Sequence, residues 1–214
     1  LPLFGARNIP TLWKIGLSFV LAVMLTPVVP PPQSLPQSLA GVVLGIAAEV
    51  LMGIIAVFGV RILFAAVQLA GEIMSFQMGF SMARAIDPNT GVQSTALSQF
   101  LYLFTVLLFF AMDGHHLMIR AIAASFRLAP PNGLSFDPGL AEAVMRITAH
   151  MFVLGLKVAA PIMIALFLSN LCLGIVARTV PQVNILMIGF PINIGIGLVL
   201  FGFLLRNLSP FLTD

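Results

Sequence analysis

Two histidines in succession, His115 and His116, stand just after Asp113 and form the densest group of metal-ligating or acid–base side chains in the sequence. Neighbouring helical positions point about 100° apart, so the two imidazoles are expected to diverge, and no metal site is predicted. They read instead as histidines at a helix end near an interface. Cys172 is the single cysteine and lies in an apolar run, where it reads as a small buried hydrophobe; neither a disulfide nor zinc-ligand spacing follows from it. There is no Walker-type phosphate loop, no Gly-x-Gly-x-x-Gly after a strand, and no spacing that suggests a Ser-His-Asp triad. These residues predict no catalysis and no cofactor.

Charge inside apolar sequence is the second feature. Glu49, Arg61, Glu72 and Lys157 all lie within apolar stretches, where an ionised group is costly unless paired or hydrated. Glu49 and Arg61 are separated by roughly 18 Å along a helix, too far for a direct pair. Each charge is read as buried against a partner on another helix or subunit, with ion translocation and a polar lumen as alternatives.

The third feature is a methionine stripe. Met74, Met78 and Met82 recur every four residues, with Phe76 and Phe80 between them. On a helix the thioethers fall on one soft face. Such a stripe usually packs a core. Its place just before the polar interval Ser81–Gly91 points further, because irregular backbone at membrane depth persists only where it lines a cavity or is covered by protein. A plug beside a deformable seal meets that condition.

Composition sets the frame for these groups. The chain has 214 residues, 60% hydrophobic and 8% charged, with a mean hydropathy of +1.11. Soluble chains carry about 25% charged residues, so this one cannot clothe a water-exposed surface. A free-standing cytoplasmic enzyme, a nucleic-acid module and a disordered tail are excluded. The isoelectric point near 9.8 does not revive nucleic acid, since the ten Lys and Arg are scattered singly. What remains is an all-α polytopic membrane protein, or an equally apolar subunit of a larger assembly. Long continuous runs, rather than short alternating ones, favour helices over a barrel.

The predicted helices are Thr11–Val29 with Thr11 as N-cap, Leu39 to Gly79, Thr95–Met112, His115–Leu128, Leu140–Arg178 and Val183–Leu212. Prolines 27, 30, 31, 32 and 36 enforce an extended connector. The second helix would reach roughly 60 Å, twice a hydrocarbon core. It must therefore break, near Gly53 or Gly71, or run on against protein. Pro161 is expected to kink the fifth helix and Pro191 to bend the last. Gly41 with Gly45, and Gly195 with Gly197, suit close helix approach. A single domain over residues 1–214 is expected. No Met starts the chain, which opens within an apolar phrase (Leu1–Phe4), so an amino-terminal segment is expected to be missing.

Several phrases together resemble FliR, the flagellar export-gate family. They are Pro2-Leu3-Phe4-Gly5-Ala6-Arg7-Asn8-Ile9-Pro10 with Lys14-Ile15-Gly16-Leu17, and Gly79-Phe80-Ser81-Met82-Ala83 leading to Asp87-Pro88. Phe109-Phe110-Ala111-Met112-Asp113-Gly114-His115-His116, Ser125-Phe126 and Pro130-Pro131 follow. Ala160-Pro161, Leu173-Gly174, Arg178-Thr179-Val180-Pro181-Gln182-Val183-Asn184 and Gly189-Phe190-Pro191 complete the series. No single phrase is decisive, but their order matches over nearly the whole chain. Against that family the chain looks shortened at both ends.

The resemblance implies a non-enzymatic subunit of a type III protein export gate in the bacterial inner membrane, at the flagellar basal body. It implies FliP-like and FliQ-like partners, an FlhB-like subunit, membrane lipid, and unfolded secreted proteins as cargo, with no nucleic acid. Helical hairpins that assemble into a multi-subunit gate would make the overlong second helix expected. By position, the family's plug falls on Phe80, Ser81, Met82, Arg84, Ile86, Asp87, Pro88 and Asn89; Met74, Phe76 and Met78 are read here as its seal. Two rival readings stand: the injectisome homologue SctT, and an autonomous proton-coupled transporter using Glu49 or Glu72. An intramembrane enzyme would need a convergent acid–base set that the sequence does not offer.

Overall fold

Long apolar runs without breakers give long helices here, and short polar devices end them. The structure, a computed structural model, describes residues 10–31, 38–80, 95–128, 138–179 and 185–207. Among these residues there are six helices and no strand: α1 (Thr11–Leu25), α2 (Leu39–Met78), α3 (Ala96–Ala111), α4 (Gly114–Leu128), α5 (Pro138–Thr179) and α6 (Ile185–Arg206). The all-α expectation holds.

Helix ends follow local chemistry. Pro10, not Thr11, occupies the cap position of α1; it makes no side-chain cap bond, and its carbonyl accepts the N–H of Trp13 (3.2 Å). Proline fits there because its fixed φ suits helix entry. At the other end α1 stops at Leu25, short of Val29, where Val28 and Val29 turn back onto the Leu25 carbonyl beside Pro27. Ser38 caps α2, its Oγ accepting the Gly41 N–H at 3.1 Å. The expected alternatives for α2 are decided: it is unbroken through Gly53 and Gly71 for 40 residues. Helix α5 likewise continues through Pro161, and α6 through Pro191.

By length and apolar composition α2, α5 and α6 could each cross a membrane, and the bent pair of α3 and α4 adds a fourth span if counted as one.

The chain falls into two compact units. One comprises Leu1–Ile62 and Val106–Ile147. Its helix α1 has no buried residue, and large apolar side chains such as Trp13, Phe19, Leu44 and Ile46 are exposed along α1 and the first half of α2. The other comprises Leu63–Thr105 and Thr148–Asp214. Here α2 buries a stripe at helical spacing, Phe64, Val67, Ala70, Met74 and Met78. Leu97 and Leu101 of α3, Val158, Ile162 and Leu166 of α5, and Phe201 and Leu204 of α6 complete the core.

Glycines set how closely these helices pack. A Cβ at Gly71 would lie 2.6 Å from the Cα of Ser98 on α3, and one at Gly155 of α5 would lie 3.0 Å from the Ala66 carbonyl oxygen. Of the pair expected to permit close approach on α6, Gly197 does so against Met78, while Gly195 faces open space.

Candidate functional site

The C-terminus of α2 is closed by a Schellman motif. Gly79 adopts φ +87°, its N–H donates to the Phe76 carbonyl (3.1 Å), and the Phe80 N–H donates to the Ser75 carbonyl (3.0 Å). Glycine is required twice over at this position. Its left-handed backbone disfavours a side chain, and a Cβ would meet the Phe190 ring at 2.4 Å.

The chain returns at Thr95, the N-cap of α3. Thr95 Oγ1 accepts the N–H of Ser98 (3.3 Å), the third helical residue. In a capping box that third residue would reciprocate with a carboxylate to the cap's own N–H. Ser98 cannot, and the role passes to α2: Glu72 Oε1 accepts the Thr95 N–H at 2.9 Å. A carboxylate is doubly suited there, as an acceptor for an orphan donor and as a negative charge at a helix N-terminus. The buried hydroxyls of Ser75 and Thr95 meet at 2.7 Å, and Ser98 Oγ donates to the Gln68 carbonyl (3.2 Å). This polar clasp joins α2 to the start of α3 on either side of residues 81–94.

The sequence-predicted plug residues Ser81, Met82, Arg84, Ile86, Asp87, Pro88 and Asn89 lie outside the described residues. Phe80 is described and exposed. Of the expected seal, Met74 and Met78 are fully buried in the core of their unit, Met78 against Gly197, whereas Phe76 is 70% exposed. The face alternates as helical geometry demands: positions 74 and 78 share a side and 76 turns away.

The four charges expected to meet partners on another helix or subunit differ in their surroundings within this chain. Arg61 and Lys157 are exposed, and neither makes an ion pair with a described residue. Lys157 sits about 100° around α5 from the buried Val158, which places it off the packed stripe. Glu49 is half-buried. Glu72 accepts a backbone N–H, that of Thr95.

A second cluster departs from expectation. The chain bends by 70° between α3 and α4, and Asp113 sits in the elbow at φ 56°. The Asp113 N–H donates to the Phe110 carbonyl, and its own carbonyl accepts the N–H groups of His116 (2.9 Å) and Leu117 (3.2 Å). One residue thus ends α3 and starts α4. A Cβ at Gly114 would strike the Phe109 ring at 2.4 Å. In this tight elbow the two imidazoles do not diverge: their ring centroids are 4.1 Å apart. Asp113 Oδ1 lies 3.1 Å from His116 Nδ1 and 4.0 Å from His115 Nε2. Neighbouring side chains diverge in a regular helix, but these histidines occupy the first turn of α4 beside a left-handed residue.

Thr95, Ser75 and Ser98 were missed by sequence reasoning as a group. The signal available was Thr95 as a cap two residues before Leu97; the trans partner at Glu72 had no local sign.

Apolar helices, two of them longer than a hydrocarbon core is thick, define an all-α membrane protein. The chain belongs to the family of bacterial export proteins, family 1, whose description matches residues 1–214. It is similar to the flagellar biosynthetic protein FliR of Bacillus subtilis, at 38% identity over 94% of this chain and 78% of that protein. The FliR proteins of Pectobacterium carotovorum and Escherichia coli are 34% and 30% identical, each over 98% of this chain and 80% of the relative. The resemblance drawn from the sequence is thereby established.

Proposed function

We propose that this chain is a non-enzymatic subunit of the flagellar type III export gate in the bacterial inner membrane. It works with FliP-like, FliQ-like and FlhB-like subunits and lines the path of unfolded export substrates. The observation that carries the reading is α2. Its 40 residues span about 60 Å, while a hydrocarbon core is about 30 Å thick. Large apolar side chains are exposed along its first half, with Leu44 at 70%. Lipid can cover only part of that length, and the remainder needs other protein. An autonomous transporter would leave this surface uncovered. The names of the relatives favour a flagellar assembly over an injectisome.

In this reading residues 80–95 form the plug, and the clasp of Glu72, Ser75, Thr95 and Ser98 anchors both of its ends. A firm base lets the intervening segment be displaced by a secreted chain without unravelling α2 or α3. Deleting residues 84–91 is expected to raise ion conductance of the co-expressed assembly in planar bilayers. A deletion variant as tight as the parent would refute the plug. Purification of the chain as a solitary, monodisperse species would refute the gate.

A further inference from the structure

We propose that the elbow between α3 and α4 is a transition-metal site, with Asp113, His115 and His116 as ligands and zinc as the best-fitting ion. One ligand atom from each residue lies within 4.8 Å of the other two. Three ligands around zinc at about 2.0–2.2 Å sit roughly 3.0–3.6 Å from one another. The Asp113–His116 separation of 3.1 Å already meets this, and the 4.0 Å separation to His115 closes with a small side-chain rotation. Two imidazoles and one carboxylate select zinc, nickel or copper over magnesium and calcium, which take oxygen ligands.

The surroundings are suited to the ion. The start of α4 carries a partial positive charge that opposes a cation, and the Asp113 carboxylate offsets it. The His115 ring is oriented by the Phe110 ring, with centroids 5.3 Å apart. Its Nδ1 is buried without a partner among the described residues, leaving Nε2 as the atom that faces Asp113. The side chains of Asp113 and His116 are 73% and 61% exposed, so the ion has a path in and a fourth position open to water or another chain. Asp113 lies in the elbow and both histidines lie in the first turn of α4, so a bound ion would fix the start of α4 against the elbow.

The test is metal binding by the full chain purified with whatever subunits accompany it. Zinc titration against a chromogenic chelator should show about one ion per chain, and cobalt substitution should give the visible bands of a nitrogen- and oxygen-ligated ion. Asp113→Asn and His116→Gln should each weaken binding at least tenfold, since even outer-shell changes cost 10–100-fold. Asparagine tolerates the left-handed backbone at 113, so Asp113→Asn keeps the elbow. Cys172→Ser and His150→Asn should bind as the parent does. Unchanged affinity in the Asp113 and His116 variants overturns the proposal. So does loss of binding in Cys172→Ser or His150→Asn, or a parent that takes up no zinc at tens of micromolar.

Discussion

Glu72 completes the capping box of a helix to which it does not belong: its Oε1 accepts the N–H of Thr95, 23 residues on, at 2.9 Å. An acid in an apolar helix is thereby a structural acceptor. The consequence is testable with two isosteric choices. Glu72→Gln keeps an acceptor oxygen for Thr95, and flagellar export and thermal stability should remain close to the parent's. Glu72→Leu strands that N–H and should cost about 1–3 kcal/mol in unfolding of the chain dissociated in detergent from its co-purified partners. Loss of export in the glutamine variant at unchanged stability would instead assign Glu72 to proton coupling.

Ser75 and Thr95 share one buried hydrogen bond at 2.7 Å, and Thr95 also caps α3. Thr95→Val should cost about 1–3 kcal/mol, from the lost cap and from an unsatisfied Ser75 hydroxyl. Ser75→Ala in the Thr95→Val background should then cost less than in the parent. A double-mutant cycle with a coupling energy near zero would contradict the pairing.

Met78 fills the space that Gly197 leaves. Gly197→Ala should destabilise by about 1–3 kcal/mol through overpacking. Met78→Ala would leave a cavity in the parent, yet in the Gly197→Ala background it should relieve the clash. Strictly additive losses, read from thermal melts of the four proteins, would show that these residues do not touch.

Methionine oxidation separates packing from exposure. Met74 and Met78 are fully buried, while Met187 is 75% exposed and Met24 and Met145 are also open. Brief peroxide treatment of the chain, dissociated in detergent from its co-purified partners, should convert Met24, Met145 and Met187 to sulfoxide well before Met74 and Met78, as read by peptide mass spectrometry. Early oxidation of Met74 would place it outside the core.

Much was legible from the sequence. Composition and unbroken apolar runs alone determined an all-α membrane protein. The helix starts at Leu39 and near Thr95 followed from where the apolar runs begin, while the cap expected at Thr11 falls on Pro10. The family was legible from ordered phrases such as Asp113-Gly114-His115-His116. The partners of the charged residues were not, because they depend on which face of a helix meets a neighbour. Arg61 and Lys157 are exposed, while Glu72 reaches across to Thr95. Likewise the rule that adjacent helical side chains diverge holds in a regular helix, and the left-handed turn at Asp113 suspends it. Local sequence fixes backbone preference within a turn or two. Contacts between residues 23 positions apart, and the convergence of side chains at a bend, exist only once helices have packed at a particular distance and rotation.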